Sequence, residues 1–390
     1  MEPKFFRCKN CLYPSTKPDL QFDKNGICGA CRFREYEMTI DWEKREQEFY
    51  QMIEEIKPKD KSNYDCMIPV SGGKDSTYQV YLIKELAGFN PLLVSFEPSC
   101  PTEIGKRNLQ NMVDSFNVDL IQMRKSPTYR KLCRIGFDVV GDHEWPNHVG
   151  IFCWPMQMAV KLKVPNAFYG ETRGIIGLGR WDSIVEEKEI PREDVEQFIG
   201  MNGYRITDMM DFDPTLKLEN VLPYIYPSKE EIESFPIKAF SLGYFFYWDF
   251  YYNVKKNKAY GFEVLDTNKE GTFVNYEDLD CGFMPYHQYF KFIKYGYGRG
   301  TDHAAHEVRL GRMTKKQAKE LICEYDCKLP RKYFEELLDF ISIDEDHFHN
   351  NVDKFANPFL FKHDNKGKFN RMWDENLILE DFWYESFNIS

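Results

Sequence analysis

Residues 68–88 read "IPVSGGKDSTYQVYLIKELAG" and place a polar turn with two glycines between an apolar run and a run with helical periodicity. The mostly apolar residues 64–70 before the turn predict a short strand. Residues that recur at helical spacing after it are Tyr78, Tyr81, Leu82 and Leu86. Gly88 stands where a helix-ending glycine is typical. The stretch therefore predicts a strand, a tight turn and a helix in succession.

The same alternation continues along the chain. Further strands are predicted at 91–96, 118–123 and 166–171, and helices at 41–57 and 104–116. Strands that alternate with helices are typical of an α/β fold with a parallel sheet and helices on both faces. Ligands bind such sheets beyond the carboxyl ends of the strands, and the turn after Val70 lies at such an end.

The turn has the chemistry of a phosphate-binding loop. Helix amino termini present unpaired N–H groups and a positive dipole end, which suit anions. Gly72 and Gly73 let the backbone approach phosphate oxygens because they carry no Cβ. Polar and charged neighbours are Ser71, Lys74, Asp75 and Ser76. The Walker motif is not met, because Ile68 and Asp75 stand where it requires a glycine and a serine or threonine. A plain surface turn is the alternative.

Two Cys-x-x-Cys pairs lie in the first forty residues. Cys8 and Cys11 form one pair, Cys28 and Cys31 form the other, and sixteen residues separate the pairs. This spacing is typical of a zinc ribbon, in which four thiolates surround a structural ion and leave no open position. A redox dithiol is the alternative. We expect structural zinc, which says little about the reaction.

Composition narrows the possible partners and compartments. The net charge of −11 over 390 residues disfavours nucleic acid, because phosphate contacts usually require a basic surface. No run of about 18 apolar residues predicts a membrane span, and no signal peptide is evident, so we expect a cytoplasmic protein. Aromatic residues make up 16% of the chain and many lie within 224–297. They predict an aromatic core or a subunit interface, with a sugar-stacking platform as the alternative.

A second glycine-rich segment, "GYGRGTDHAAHEVRLGRMT", spans residues 296–314. Thr301 is placed to cap a helix on which His303 and His306 share a face, and Thr314 begins a capping box with Gln317. Candidate phosphate contacts are Arg299, Arg309 and Arg312. Candidates for orienting a substrate or accepting a proton are Asp302 and His303. The alternative is a solvated, salt-bridged pair of helices.

The stretch "GDHEWPNHVGIFCWP", residues 141–155, carries several potential ligands. It does not fit His-Glu-x-x-His, because three residues separate Glu144 from His148 and Pro146 is expected to break the helix. We expect His143, His148 and Cys153 to have packing roles, with lining of a substrate pocket as the alternative. Glu171 and Arg173 follow the fourth predicted strand, closer to the expected ligand.

The hexapeptide "SGGKDS", residues 71–76, resembles the pyrophosphate loop of the adenine-nucleotide alpha-hydrolase superfamily. With the cysteine pairs, "YGETRG" at 169–174 and the segment 296–314, the chain resembles the N-acetyl sugar amidotransferase family over most of residues 5–325. The last sixty residues match less well. The resemblance implies a Rossmann-like ATP-binding domain, an N-terminal zinc ribbon and a largely helical, aromatic-rich C-terminal region.

The resemblance also implies a reaction. Such enzymes adenylate the acetamido oxygen of an N-acetylated, nucleotide-linked sugar with ATP and Mg²⁺, and ammonia then gives an acetamidino sugar, AMP and pyrophosphate. The setting is bacterial surface polysaccharide synthesis, namely lipopolysaccharide O-antigen, capsule or nonulosonic-type sugars. Implied nucleotide-binding residues are Ser71, Gly72, Gly73, Lys74, Asp75, Ser76, Ser95, Gly170 and Arg309. Implied catalytic residues are Lys74, Asp75, Glu171, Arg299, Asp302 and His303.

The ammonia source is expected to be a separate glutaminase subunit. No cysteine lies in the context of a glutaminase nucleophile, and position 2 is Glu2. One alternative is a tRNA sulfur-transfer enzyme of the same superfamily, which the acidic charge and the lack of a Cys-x-x-Cys at Cys133 and Cys153 disfavour. A second alternative is a non-catalytic ATP-binding scaffold.

We divide the chain into four parts on these grounds. They are a zinc ribbon at 1–40, a linking helix at 41–62, a pyrophosphate-loop domain at 63–200, and a helical substrate or partner region at 201–390 that contributes residues 299–312 to the site.

Overall fold

A single five-stranded parallel sheet organises the chain. The computed structural model describes residues 5–59, 63–170, 188–190 and 203–388. The strands are β1 (Cys66–Val70), β2 (Pro91–Phe96), β3 (Asp119–Met123), β4 (Asn166–Tyr169) and β5 (Lys238–Ser241), in the spatial order β3-β2-β1-β4-β5. The strand order therefore reverses at β1, and open α/β sheets bind ligands at such a switch point.

The helices of the described residues fall before, between and after the strands. Those that precede β5 are α1 (Gly29–Glu37), α2 (Trp42–Ile56), α3 (Lys74–Tyr81), α4 (Glu103–Phe116), α5 (Pro127–Val140), α6 (Trp145–Leu162), α7 (Ile206–Met210), α8 (Leu218–Val221) and α9 (Lys229–Ser234). Those that follow β5 are α10 (Phe250–Asn257), α11 (Met284–Tyr295), α12 (Arg299–Arg309), α13 (Lys315–Tyr325), α14 (Phe334–Ile341), α15 (Glu345–Phe355) and α16 (Asp381–Glu385). A π-helical turn, Leu82–Leu86, extends α3.

Helices cover both faces of the sheet, as the sequence predicts. Ile68 and Val70 of β1 share a buried cluster with residues of α2, α3 and α4, whereas Met67 packs with Met156 and Ala159 of α6. Successive side chains of a strand point to opposite faces, so the near-continuous apolar run of β1 fills both layers. The α/β fold class is confirmed.

The sheet extends beyond the division that the sequence analysis places at residue 200. Strand β5 pairs in parallel with β4, from Asn166 opposite Lys238 to Tyr169 opposite Ser241. A four-residue strand carries too little periodicity to be recognised against its surroundings. Residues 238–241 therefore belong to the sheet and not to the helical C-terminal region.

The C-terminal region is mainly helical and rich in buried aromatic side chains. Tyr286, Phe290 and Phe292 of α11 contribute to a large core with residues of α5, α14 and α15. Trp248, in the same aromatic stretch of sequence, is buried on the α3 side of the sheet. The predicted core role holds for these residues, although Tyr251 and Tyr252 of α10 are exposed.

The two ends of the described chain contact each other. Arg7 donates from Nε to the Ser386 hydroxyl at 3.0 Å, and its guanidinium lies 3.9 Å from the centre of the Phe387 ring. The cysteine-containing segment thus packs against the residues that follow α16. None of the helices in the described ranges is both long and apolar enough to cross a membrane.

Candidate active site

A cavity of about 1100 Å³ lies at the carboxyl ends of the strands. Its wall includes Val70 and Ser71 after β1, Val94 and Phe96 of β2, and Tyr169 and Gly170 at the end of β4. Side chains from the cysteine-containing segment, from α6 and from residues 277–309 complete it. The cavity thus occupies the switch point of the sheet.

The glycine-serine turn enters α3 in a way that only glycine allows. Gly72 has a φ of +85°, and a Cβ there would lie 2.8 Å from the Gly105 carbonyl oxygen of α4. Gly73 is the N-cap residue of α3, and its carbonyl oxygen accepts from the hydroxyls of Ser76 and Thr77 at 3.1 and 2.9 Å. Gly72 therefore allows the close approach of the turn to α4, while Ser71, Lys74, Asp75 and Ser76 on either side of the two glycines line the cavity at the start of α3.

Lys74 joins the turn to a distant part of the chain. Lys74 is only 3% exposed, and its ammonium nitrogen lies 2.7 Å from Asp75 Oδ2 and 2.6 Å from Glu277 Oε2. Burial alone lowers the pKa of Lys74, but the two carboxylates raise it above its ordinary value. Lys74 is therefore a fixed positive charge at the cavity.

A second contact, from the indole of Trp248, orients the carboxylate of Asp75. Its Oδ1 accepts a hydrogen bond from Trp248 Nε1 at 3.0 Å. Oδ1 is therefore directed by the indole while Oδ2 faces Lys74. The carboxylate lines the cavity, and its fixed orientation suits an oxygen ligand of Mg²⁺.

Three side chains contact the Glu277 carboxylate, namely Lys74, Arg299 and His303. Arg299 Nη2 lies 2.9 Å from Oε1, and His303 Nε2 and Lys74 Nζ lie 3.2 and 2.6 Å from Oε2. Burial raises the pKa of Glu277, but Lys74 and Arg299 hold it well below its ordinary value. His303 also contacts Thr272 Oγ1 through Nδ1 at 2.7 Å, so both of its ring nitrogens are engaged. The predicted candidates Arg299 and His303 thus surround a carboxylate that the sequence analysis does not single out.

Asp302 links the late segment to the cysteine-containing segment. It lies 2.6 Å from Lys291 Nζ and 3.7 Å from Lys17 Nζ. Burial lowers the pKa of Lys17 to about 8, although Asp302 opposes this shift. Arg309 lies over the ring of Tyr13, 5.1 Å from its centre, and all of these residues line the cavity. The cysteine-containing segment is therefore part of the site wall.

Some predicted site residues lie elsewhere. Ser95 is buried on the opposite side of β2 from Val94 and Phe96, near Gln122 Nε2 at 3.4 Å, because neighbouring strand residues face opposite ways. Arg312 pairs with Asp249 and Glu307 at 2.6 Å each and is not in the cavity wall. Glu171 and Arg173 lie outside the described residues.

Two local expectations need correction. Thr301 does not cap α12, because Gly298 is the N-cap residue and Asp326 accepts from the backbone N–H groups of Gly298 and Thr301 at 2.8 and 3.1 Å. Pro146 does not break a helix, because it lies in the first turn of α6, where no N–H group is needed. His148 is consequently helical and faces the cavity.

Four buried thiols converge in the N-terminal segment. The Sγ atoms of Cys8, Cys11, Cys28 and Cys31 lie within 4.8 Å of one another, with Cys8–Cys31 at 3.8 Å and Cys11–Cys28 at 3.5 Å. A tetrahedral ion with metal–sulfur bonds of about 2.3 Å places its sulfurs about 3.8 Å apart. The donor set and its spacing therefore fit one tetrahedral metal ion, and the predicted zinc ion would suit them.

Sequence reasoning missed the acidic lining. Glu277, Asp278 and Asp280 stand in "NYEDLDCG" and line the cavity. Three carboxylates within four residues, in an otherwise aromatic stretch, were the available signal. Asp142, His148 and His287 also meet in the cavity wall, whereas the sequence favours packing roles for this region.

Comparison with known families identifies the segment that supplies this lining. Residues 270–375 match the family described as "LPS biosynthesis protein WbpG-like, C-terminal domain". The predicted family resemblance is confirmed there. The WbpG-like segment (residues 270–375) contains Glu277, Arg299 and His303, which line the same cavity as the glycine-serine turn.

Other similarities are more distant. The chain is 28% identical over 123 residues to "Uncharacterized protein MJ1599" of Methanocaldococcus jannaschii. The aligned region covers 31% of this chain and 44% of that protein, so the chain spans less than half the length of this curated relative. The structure titled "U34-tRNA thiolase NcsA from Methanococcus maripaludis with its [4Fe-4S] cluster" aligns over 85% of this chain and 93% of its own, with 11% identity and a TM-score of 0.31.

Proposed function

We propose that this protein is an ATP-dependent sugar amidotransferase of surface polysaccharide synthesis. The observation that carries the proposal is the contact between Lys74 of the glycine-serine turn and Glu277 of the WbpG-like segment. It joins a phosphate-binding turn to a segment of a lipopolysaccharide biosynthesis family in one cavity. The substrate we propose is an N-acetylated sugar carried on a nucleotide.

The chemistry of the substrate explains why ATP is needed. An amide carbonyl is a poor electrophile, and its oxygen is a poor leaving group. Attack of that oxygen on the α-phosphorus of ATP forms an O–P bond and expels pyrophosphate. Ammonia then adds to the amide carbon and loses a proton, and AMP departs with the former amide oxygen. The products are an acetamidino sugar, AMP and pyrophosphate.

The residues of the turn suit the phosphate part of this reaction. The N–H groups at the start of α3 and the ammonium of Lys74 face negative charge that moves onto pyrophosphate. The Asp75 carboxylate fits a Mg²⁺ ion, which would neutralise charge on the phosphates. Arg299 adds a second fixed cation in the same wall. Glu277 keeps Lys74 and Arg299 charged and in place.

The aromatic part of the cavity wall suits the sugar part of the reaction. An activated amide must be kept from water, because water would return it to the starting amide. Phe96, Tyr169 and Phe250 contribute to the wall, and we propose that they help to exclude water from the reacting carbon. We propose that ammonia comes from a separate glutaminase subunit.

The reaction can be tested by isotope transfer. The purified protein is incubated with ATP, Mg²⁺, ammonium chloride and a panel of nucleotide-linked N-acetyl sugars that carry ¹⁸O in the acetamido group. We expect AMP and pyrophosphate in equal amounts, and one ¹⁸O in the phosphate of AMP. Production of ADP, or AMP without the label from every sugar, would reject the proposal.

Two variants place the reaction at the turn. Asp75→Ala and Ser71→Ala should lower AMP formation at least 100-fold while the far-ultraviolet and near-ultraviolet circular dichroism remain unchanged. Ser115→Ala on the outer side of α4, where the hydroxyl only donates to the Tyr260 carbonyl, is the control and should keep full activity. The isolated chain should use ammonium but not glutamine, whereas rapid use of glutamine would contradict a separate glutaminase.

A further inference from the structure

The wall of the cavity holds a second group of potential metal ligands apart from the four cysteines. We propose that Asp142, His148 and His287 bind one divalent transition-metal ion, such as Zn²⁺, Mn²⁺ or Fe²⁺. One nitrogen of each histidine and one oxygen of the carboxylate lie within 4.8 Å of one another. All three residues line the cavity.

Three helix ends position these side chains. Asp142 follows the glycine that ends α5, His148 lies in the first turns of α6, and His287 lies at the start of α11. These elements are distant in sequence, since 145 positions separate Asp142 from His287. The convergence depends on the tertiary fold and is not a by-product of one local motif.

The carboxylate is fixed before any ion arrives. Asp142 is 4% exposed, and its Oδ1 accepts from the backbone N–H of Glu144 at 3.0 Å. Its own N–H donates to the Gly136 carbonyl at 3.1 Å, and a Cβ at Gly136 would lie 2.7 Å from the Asp142 carbonyl oxygen. Gly136 therefore allows the close approach of the two backbones that places Asp142.

The distances suit shared ligands better than a hydrogen-bonded triad. His287 Nδ1 lies 2.9 Å from Asp142 Oδ1, but His148 Nδ1 lies 4.0 Å from Oδ2, which is too long for a hydrogen bond. Ligands bound at about 2.0–2.2 Å in a tetrahedron lie about 3.3–3.6 Å apart. The two histidine–carboxylate separations, one to each carboxylate oxygen, lie below and above this value. One ligand atom from each residue already lies within 4.8 Å of the others, so side-chain rotations would bring the three together around one ion.

The donor set indicates the class of metal. Two imidazoles and one carboxylate favour Zn²⁺, Mn²⁺ or Fe²⁺, whereas Mg²⁺ and Ca²⁺ prefer oxygen ligands alone. His148 and His287 have side chains that are 27% and 21% exposed, on the cavity side of the buried Asp142. With three protein ligands, positions remain open toward the cavity. They would take an oxygen donor, such as a sugar hydroxyl or a diphosphate oxygen.

This site does not depend on the proposed reaction, and it can be tested by metal binding alone. The apo protein is titrated with Co²⁺, and bound metal is measured after gel filtration. We expect two Co²⁺ per chain. The cysteine site should show intense thiolate-to-cobalt charge-transfer bands, and the second ion should add only weaker ligand-field bands, because it has no sulfur ligand.

Variants assign the second ion to these residues. His148→Gln and His287→Gln should each reduce the content to one Co²⁺ per chain and leave the thiolate bands unchanged. His347→Gln is the matched control, because His347 also pairs with a carboxylate, Asp138, at 2.7 Å but forms no three-ligand group among the residues that the structure describes. It should keep two ions. The thiolate bands and circular dichroism report folding in every variant.

Two results would overturn the proposal. One is a wild-type protein that binds a single Co²⁺ with full thiolate bands. The other is a pair of histidine variants, folded by the same criteria, that still bind two ions.

Discussion

The Nζ atom of Lys74 lies 2.6 Å from Oε2 of Glu277, although 203 positions separate the two residues. This buried pair joins the turn after β1 to the WbpG-like segment. Arg299 and His303 reach the same carboxylate from α12. The cavity therefore depends on one acidic residue to hold cations from two parts of the chain.

Glu277→Gln should destabilise the protein by about 3 kcal/mol, because it leaves the buried cations around position 277 without a full counter-charge. The measurement is urea denaturation at pH 7.5. Glu103→Gln is the control, since Glu103 pairs with Lys106 at 2.7 Å on the exposed side of α4. That change should cost less than about 0.5 kcal/mol. Equal losses in the free energy of unfolding from the two substitutions would show that the contacts of Glu277 with the surrounding cations do not stabilise the fold.

Gly72→Ala should destabilise the protein by about 3 kcal/mol and abolish ATP binding in calorimetry. The variant combines a positive φ with a Cβ 2.8 Å from the Gly105 carbonyl oxygen. Gly88→Ala separates these causes, because Gly88 has a φ of +65° but open space at its Cβ position. It should cost about 1 kcal/mol and leave ATP binding intact. A similar loss in the free energy of unfolding for both variants would mean that the close contact between Gly72 and α4 does not limit the side chain at position 72.

Asp280→Asn should stabilise the protein at alkaline pH. Burial raises the pKa of Asp280 from 3.8 to about 6, although Lys269 opposes the shift. The folded state thus binds the proton more tightly than the unfolded state, and stability is lost as the pH rises from about 4 to about 6.

Asparagine at position 280 removes this pH-dependent loss. The gain in the free energy of unfolding should reach at most about 3 kcal/mol at pH 8 and disappear near pH 4. Denaturant titrations at several pH values measure it. Asp266→Asn, at an exposed position, is the control and should change stability by less than about 0.5 kcal/mol throughout. A gain that persists at pH 4 would exclude the proton as its cause.

Cys28→Ser should reduce the metal content by one ion per chain and weaken ATP binding at least 10-fold. The second effect follows because Tyr13 and Lys17 lie between the two cysteine pairs and line the cavity. Cys323→Ser, outside the four-thiol group, should change neither quantity. Metal analysis and calorimetry provide the two readouts. If the metal-depleted Cys28→Ser variant binds ATP normally, then the cysteine site stabilises only its own segment and does not contribute to ATP binding.

Local patterns explain why most of the sheet could be predicted. The predicted strand at 91–96 matches β2, and the helix predicted at 104–116 differs from α4 by one residue. Apolar runs and helical periodicity act over few residues, so the sequence reveals them directly. The short edge strand β5 has neither signal, because its pairing with β4 supplies the stability that its own four residues lack.

The same distinction between local patterns and distant contacts applies to the residues of the candidate site. The glycine-serine turn and Arg299 could be recognised as candidates because their residue types are grouped in sequence. Glu277 has only the weak signal of three carboxylates within four residues, and the cluster of Asp142 with His148 and His287 has no local signal, since their roles arise from contacts between distant elements. Pro146 shows the limit of a local rule, because its effect on a helix depends on the turn it occupies.

The contact between Arg7 and Ser386 also constrains how the molecule is made. Arg7, next to the first cysteine pair, is synthesised 379 positions before the serine that it contacts. This contact, like those of Thr16 with Tyr295 and of Lys17 with Tyr297, can form only after a long stretch of chain has followed the cysteines. Until these contacts form, the four thiols lack their packing partners, so early capture of a metal ion would protect them from oxidation.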